Sequence, residues 1–206
     1  MPINFERIVG VVNPAASRYE QTVVQLDAII SAYPKIPYYD IGTDKDFKET
    51  PKRLRETVQP SDLVVVLGRD GTKSAVASTL CETGGIMLPL PAGSGNDLDT
   101  GLLGKNNSLT PLQCIESGTP IDIHPISVAV NGVHKLAINY FGMGSTAHGS
   151  QVMNSEWYRE KLPLHKVDTV RDKYEKGILP VVAFFTCPFA ITENGKSRLV
   201  TEFSVI

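Results

Sequence analysis

The sequence predicts an α/β domain with a parallel sheet and helices on both faces, followed by a β-rich, antiparallel second domain. In residues 1–120, short uninterrupted apolar segments alternate with segments of helical periodicity, which is typical of a parallel sheet. In residues 121–206, apolar and polar residues alternate around Asn-Gly pairs, which is typical of antiparallel hairpins. We expect the second domain to be incomplete, because its last segment, TEFSVI, reads as a strand with no partner after it.

Four segments of the first domain predict buried parallel strands. They are RIVGVVN, IPYYDI, LVVVL and IMLPLP. The first is rich in β-branched residues, which favour strands. Between the first two, Ser17 and Glu20 form an S-x-x-E pattern that predicts a capping box at the start of a helix.

Two further helices follow from local signals. Thr50 before Pro51 predicts an N-cap and a first helical position, with the helix continuing to Val58. The segment TKSAVASTLCET predicts the next helix, and Gly84 and Gly85 end it, since glycine is favoured after the last turn of a helix.

The second domain is predicted from two hairpins with helices between them. Asn131-Gly132 marks the turn of the first hairpin and Asn194-Gly195 that of the last. Segments 151–162 and 167–176 have helical character, and LPVVAFFTC and AITENGKSRLVTEFSVI read as strands.

Composition excludes several classes of function. The formal net charge of −2 over 206 residues argues against a broad basic surface for nucleic acid. The three cysteines and four histidines show no spacing typical of a metal site, so metal ligands stay unassigned. The N-terminal segment MPINFERIVG lacks the pattern of a signal peptide, and no apolar run reaches the roughly 18 residues that cross a bilayer. Oligomeric state is not predicted.

Polar and glycine-rich loops follow the first, third and fourth predicted strands. They are Asn13-Pro14-Ala15-Ala16-Ser17, Gly68-Arg69-Asp70-Gly71-Thr72, and a loop containing Gly93, Ser94, Gly95, Asn96 and Asp97. Ligands of open parallel sheets bind at the carboxyl ends of the strands. Each loop opens toward a helix N-terminus, where unpaired N–H groups and the helix dipole favour anions. The three loops together predict a polyanion site, most simply for the phosphates of a nucleotide.

Each loop has a plainer interpretation when it is taken alone. A Gly-Asp pair is more often a turn than a site. Asn13-Pro14 is also typical of a helix entry, and Asp97 and Asp99 also suit the first turn of a helix. Asp70, between two glycines at the end of a buried strand, needs a partner such as Mg²⁺ or a hydroxyl group.

These motifs resemble the diacylglycerol kinase catalytic domain. The resemblance rests on Asn13-Pro14 after the first strand, G-x-D-G-T at 68–72 after the third, and P-x-G-[ST]-x-N-D at 91–97 after the fourth. Bacterial lipid kinases and sphingosine kinases share this domain, and NAD kinases are distant relatives that lack the third motif. In order and spacing the resemblance extends over essentially the whole chain.

The resemblance implies an ATP-dependent lipid kinase that transfers the γ-phosphoryl group to a lipid hydroxyl such as that of diacylglycerol. It implies ATP and Mg²⁺ as cofactors, ATP in a cleft between the two domains, and a cytoplasmic protein working at the inner membrane surface. Asp70 corresponds to the aspartate implicated in catalysis, and Asp97 would face the substrate. The nucleotide would be bound by residues of the three loops and the second strand's end: Asn13, Pro14, Ser17, Thr43, Gly68, Arg69, Gly71, Thr72, Gly93, Ser94, Gly95 and Asn96. The absence of a G-x-x-x-x-G-K-[ST] loop excludes a P-loop kinase.

Four features depart from the family pattern. Arg69 replaces a glycine and would clamp a phosphate, block the pocket, or pair with Asp70 and lower activity. Ser17 stands where glycine is usual, and Ser94 replaces the commoner threonine. Family members continue into an Asp-Gly-Glu-like segment, and this sequence stops before it. The alternatives are therefore a fragment, a non-catalytic nucleotide-binding module or, with the third motif against it, an NAD kinase.

Overall fold

The structure is a computed structural model that describes residues 3–44, 47–93, 96–103, 109–130, 132–138, 186–193 and 196–203. The chain divides into two compact units, Met1–Asn139 and Tyr140–Ile206. The domain boundary expected between residues 120 and 121 stays a prediction. The helices predicted at 151–162 and 167–176 lie outside the described residues.

The first unit contains a parallel sheet of four strands in the order β2-β1-β3-β4. The strands are β1 (Arg7–Val12), β2 (Tyr38–Gly42), β3 (Asp62–Gly68) and β4 (Ile86–Pro91). Five helices are described in this unit: α1 (Tyr19–Ala32), α2 (Thr50–Thr57), α3 (Asp70–Thr83), α4 (Asp97–Leu103) and α5 (Pro111–Ser117). The predicted parallel α/β architecture is confirmed.

Both faces of the sheet are covered, because successive side chains of β3 enter opposite cores. Leu63, Val65 and Leu67 pack with residues of α1 and α5. Val64 and Val66 pack on the other face with residues of α2 and α3. All seven residues of β3 are buried, which explains why this strand reads as a continuous apolar run.

Two predicted helix starts are wrong. Ser17 does not cap α1, since the N-cap is Arg18 and makes no side-chain capping hydrogen bond. Thr50 is the first residue of α2 rather than its cap, and its hydroxyl is bonded to the Asp44 carboxylate. The carboxylate of Asp44 also accepts from the N–H groups of Lys48 at 2.6 Å and Thr50 at 2.8 Å, so it satisfies donors that the predicted cap would have served.

The described hairpins are antiparallel, as predicted. In the first unit, β5 (Ile126–Val130) pairs with β6 (Val133–Ala137), and Gly132 at the turn has a φ of +78°. In the second unit, β7 (Thr186–Glu193) pairs with β8 (Lys196–Phe203). β7 continues through Pro188, so the end of the predicted segment LPVVAFFTC and the start of AITENGKSRLVTEFSVI belong to one strand. The second domain as a whole is not described, and its predicted architecture stays a prediction.

Candidate functional site

The carboxyl ends of the four parallel strands form one edge of the sheet. Val12 at the end of β1 is in register with Gly42 of β2 and Leu67 of β3. Gly68 of β3 is in register with Pro91 of β4. The loops after β1, β3 and β4 therefore leave the sheet side by side, which is the arrangement that a shared ligand site requires.

The first and second loops contact each other directly. Asn13 donates from Nδ2 to Oγ1 of Thr72 at 3.2 Å, while its Oδ1 accepts from the N–H of Ala15 at 3.0 Å. The Arg69 guanidinium donates from Nη2 to the carbonyl of Ala15 at 3.0 Å. Arg69 is exposed, and its side chain bridges these two loops. The predicted convergence of the two loops is confirmed.

The third loop is tied to both of the others. Arg18 donates its N–H to the carbonyl of Ala92 at 3.1 Å, which links the first loop to the third. The side chain of Asn96 accepts from the N–H of Gly93 and donates to its carbonyl, both at 2.8 Å. A Cβ at Gly93 would lie 3.1 Å from Oδ1 of Asn96 and 3.4 Å from Cα of Arg69, so this turn packs closely against the second loop. Ser94 and Gly95 lie outside the described residues.

Asp70 has a partner that the sequence did not suggest. Its carboxylate accepts from the N–H of Asp97 at 3.3 Å and from the N–H of Leu98 at 3.4 Å. Asp70 thus caps the N-terminus of α4, where unpaired N–H groups and the dipole favour a carboxylate. The sequence predicted a partner for this carboxylate, such as Mg²⁺ or a hydroxyl group, and the partner in the described residues is the backbone of α4. Asp70 is half-buried and Asp97 is exposed.

The two glycines of the second loop have different surroundings. A Cβ at Gly68 would lie 2.6 Å from Cβ of Thr72, a distance at which Thr72 or the backbone would have to shift. A Cβ at Gly71 would meet no atom within 4 Å. Gly71 lies in the first turn of α3, whose N–H groups lack intrahelical acceptors. Gly71 thus leaves open space at the first turn of α3, and the N-terminus of a helix favours an anionic group.

The remaining predicted residues lie at the same edge of the sheet. Thr43 follows β2 and donates its N–H to the carbonyl of Val12 at 3.1 Å, beside Asn13. Pro14 and Ser17 are exposed and line an open surface pocket of about 370 Å³ at the start of α1. The full lining is Pro14, Ala16, Ser17, Arg18, Tyr19, Glu20 and Gln21.

A buried ion pair beside this site was missed by the sequence analysis. Lys73 of α3 is fully buried and pairs through Nζ with Oδ2 of Asp99 on α4. Burial raises the pKa of the Asp99 carboxyl, the attraction of Lys73 opposes that rise, and the charge of Asp70 adds to it. Lys73 lies at helical spacing from the buried Val76 and Leu80. A lysine on the apolar face of a predicted helix indicates that its side chain is buried and needs an acidic partner.

The described residues contain no group of three His, Cys, Asp or Glu side chains arranged to hold a metal ion. Mg²⁺ in phosphoryl-transfer sites needs one or two carboxylates when substrate phosphates supply further ligands. Within the described part of the chain, no helix has the length and apolar character to cross a membrane.

Comparison with known proteins decides the family. A sequence profile described as the diacylglycerol kinase catalytic domain matches residues 7–128, more than half of the 206-residue chain. The chain belongs to this family. No curated protein matches the sequence.

Solved structures support the same fold. A diacylglycerol kinase from Bacillus anthracis str. Sterne is 23% identical, with a TM-score of 0.55 over 96% of this chain and 62% of that chain. A second chain from that strain, provisionally described as a diacylglycerol kinase, is 22% identical, with a TM-score of 0.58 over 96% of this chain and 64% of that one. This member of the family thus spans less than two thirds of those solved chains.

Proposed function

We propose that this member of the diacylglycerol kinase catalytic domain family is an ATP-dependent lipid kinase. It would transfer the γ-phosphoryl group of ATP to a lipid hydroxyl such as that of diacylglycerol. The observation that carries the proposal is the convergence of three loops on one edge of the sheet, with the Asp70 carboxylate held at their junction. Membership of a kinase family supports ATP and a divalent cation as cofactors.

The described residues fit a nucleotide's phosphates. The space beside Gly71 lies at the N-terminus of α3, where N–H groups are available as donors. The Asn13–Thr72 contact fixes the neighbouring side chains, and the Asn96 side chain closes the turn at Gly93. In the proposal these residues hold the phosphates, together with Pro14, Ser17, Thr43, Gly68, Arg69, Ser94 and Gly95.

Phosphoryl transfer depends mainly on positioning and on neutralising charge. In the proposed reaction the lipid hydroxyl oxygen forms a bond to the γ-phosphorus, the bond from that phosphorus to the bridging oxygen breaks, and ADP leaves with the electron pair. Asp70 aligns the hydroxyl, either by accepting its proton or as a ligand of Mg²⁺. Bound Mg²⁺ would supply neutralisation of phosphate charge.

The acceptor side of the proposal rests on Asp97 and on the second domain. Asp97 is exposed next to Asp70, at the start of α4. Residues 121–206 are proposed to form the lipid-side domain, and the protein is proposed to work in the cytoplasm at the inner membrane surface. The net charge of −2 gives no support to a nucleic-acid partner.

A second candidate is a nucleotide-binding module without catalysis. The observation that favours it is the Arg69 side chain, which reaches across to Ala15 between the first two loops. A guanidinium in that position either contacts a phosphate or takes the space of one.

Phosphate transfer by the wild-type chain separates these candidates, and Asp70→Asn tests the proposed role of Asp70. The two N–H groups of α4 bond to different oxygens of the Asp70 carboxylate, so the single amide oxygen of asparagine keeps one of these two hydrogen bonds. We expect the variant to fold and to bind ATP while its transfer of labelled phosphate from ATP to diacylglycerol vesicles falls at least about 100-fold. Asp27→Asn makes the same charge change at an exposed position of α1 and serves as the control.

Turnover of the Asp70→Asn variant at the wild-type rate would refute the role of Asp70. ATP binding without transfer by the wild-type chain would instead favour the non-catalytic module. NAD offered in place of lipid tests the remaining acceptor.

A further inference from the structure

The Lys73–Asp99 ion pair connects the two helices that follow the second and third loops. Lys73 is on the first turns of α3 and Asp99 is on the first turn of α4. The lysine side chain has no exposed area, and the aspartate side chain is 8% exposed. Two opposite charges are thus withdrawn from water between the helices that follow the second and third loops.

The pair accompanies a second connection between the same helices. Asp70, three residues before Lys73, accepts from the N–H groups of Asp97 and Leu98, which directly precede Asp99. Asp70 on α3 thus accepts from the backbone of α4, and Asp99 on α4 pairs with Lys73 on α3. These two connections fix both the separation and the rotation of the helix starts.

Stability alone does not explain this ion pair. Burying two charges is unfavourable unless their remaining hydrogen-bonding capacity is satisfied, and an apolar pair of similar volume often stabilises a core as well. Here Oδ1 of Asp99 is buried without a hydrogen-bond partner among the described residues. In some proteins a buried charged or polar pair selects one arrangement of the elements that it joins.

We propose that Lys73 and Asp99 are positioning residues that hold the N-terminus of α4 on the Asp70 carboxylate and thereby set that carboxylate for phosphoryl transfer. The second part of this inference rests on the proposed function. Neither residue needs to touch the substrate. Lys73 and Asp99 would affect the reaction only by setting the position and orientation of the Asp70 carboxylate.

The test compares the wild-type chain with Lys73→Met/Asp99→Leu, which replaces both charges by apolar side chains of similar size. Hydrogen–deuterium exchange measures the protection of the segment that contains Asp97 and Leu98. Thermal unfolding measures stability, and kcat and KM for ATP are measured with diacylglycerol vesicles. The control is Arg55→Met/Glu82→Leu, which removes an exposed ion pair between α2 and the far end of α3.

We expect the double variant at 73 and 99 to unfold close to the wild-type temperature, with exchange of the 97–98 segment faster by at least about tenfold. We expect kcat to fall roughly 10- to 100-fold, with KM for ATP changed less than about threefold. The control should match the wild type in all of these measurements.

Unchanged exchange at 97–98 would overturn the inference, as would faster exchange with unchanged kcat. If this double variant fails to fold, Lys73→Leu/Asp99→Ala is measured in its place, since it also removes both charges and leaves neither one buried alone. Unchanged exchange and kcat in that variant overturn the inference in the same way. A wild-type chain without lipid phosphorylation would refute the proposed function, while the exchange measurement would still decide whether the pair holds α4.

Discussion

Two glycines three positions apart serve different purposes in the second loop. Gly68 is required by packing, because a Cβ there would overlap Thr72, the residue that accepts from Asn13. Gly71 has no such neighbour and is exposed. The glycine that packing does not require therefore marks the space proposed for a phosphate.

We predict opposite effects of alanine at these glycines. Gly71→Ala should fold as stably as the wild type or up to about 1 kcal/mol more stably, since alanine favours the first turn of α3. Its ATP affinity, measured by calorimetry, should fall about tenfold or more, because the methyl group enters the proposed phosphate space. Gly68→Ala should be destabilised by about 1–3 kcal/mol in chemical denaturation. Wild-type ATP affinity in Gly71→Ala would place the phosphates elsewhere.

The sequence predicted which residues lie at the site more accurately than it predicted their hydrogen-bond partners. Asn13, Arg69, Asp70 and Asn96 were expected at one edge, and the first two loops do contact there. The partner of Asp70 was not foreseen, because the N–H groups of α4 reach it from 27 residues further along the chain. A backbone partner leaves no residue-type signal in the sequence.

The segment between β2 and α2 is organised by one carboxylate. Asp44 follows Thr43, a residue proposed to bind the nucleotide, and its carboxylate accepts from three N–H groups and one hydroxyl. The hydrogen bond from the Thr50 hydroxyl is the largest influence on the pKa of Asp44. Together with the three N–H groups it outweighs desolvation, which acts in the opposite direction, and holds the pKa well below its ordinary value. Ionised Asp44 therefore caps α2 and fixes the end of β2.

We predict that Asp44 makes stability depend on pH in acid. A carboxyl whose pKa is lowered on folding stabilises the folded state above its ordinary pKa, 3.8. That contribution is lost as the pH falls below this value toward the lower pKa of the folded state. The difference in unfolding temperature between the wild type and Asp44→Asn should be largest near pH 7 and should shrink progressively below about pH 4. A difference that stays constant from pH 7 to pH 2 would contradict this role.

Strands were predicted more accurately than helix starts. The four parallel strands bury apolar side chains on both faces, and this burial is visible in a short stretch of sequence. Helix starts depend on which nearby group reaches the first N–H donors, and at α2 the group that does so is Asp44, six residues before Thr50. The helices α4 and α5, at seven residues each, are too short to give a clear periodic signal.

In the first unit as a whole, the two ends of the sheet differ in character. At the amino ends, Arg7 of β1 donates to the buried carboxylate of Asp62 on β3 at 2.7 and 2.6 Å. The carbonyl of Thr57 and the N–H of Gln59 complete this network. The proposed site lies at the carboxyl ends, so the Arg7–Asp62 network and the proposed binding residues occupy opposite edges of the sheet.

We predict that Arg7→Met separates stability from binding. Removing the guanidinium leaves the Asp62 carboxylate buried without its cation, and the free energy of unfolding should fall by about 3 kcal/mol. ATP affinity of the folded protein should stay within about twofold of the wild type, because the change lies at the other edge of the sheet. Urea unfolding and calorimetry below the unfolding transition provide the two measurements. A large loss of affinity in the folded variant would show that the two edges are coupled.

The buried lysine and aspartate also constrain how this sequence can evolve. Substitution of either residue alone leaves a charge in the core without its counter-ion, and a protein with that single substitution would fold poorly. Homologues are therefore expected to keep both charges or to have lost both, with intermediates rare. A collection of related sequences in which the two positions vary independently would speak against such coupled inheritance.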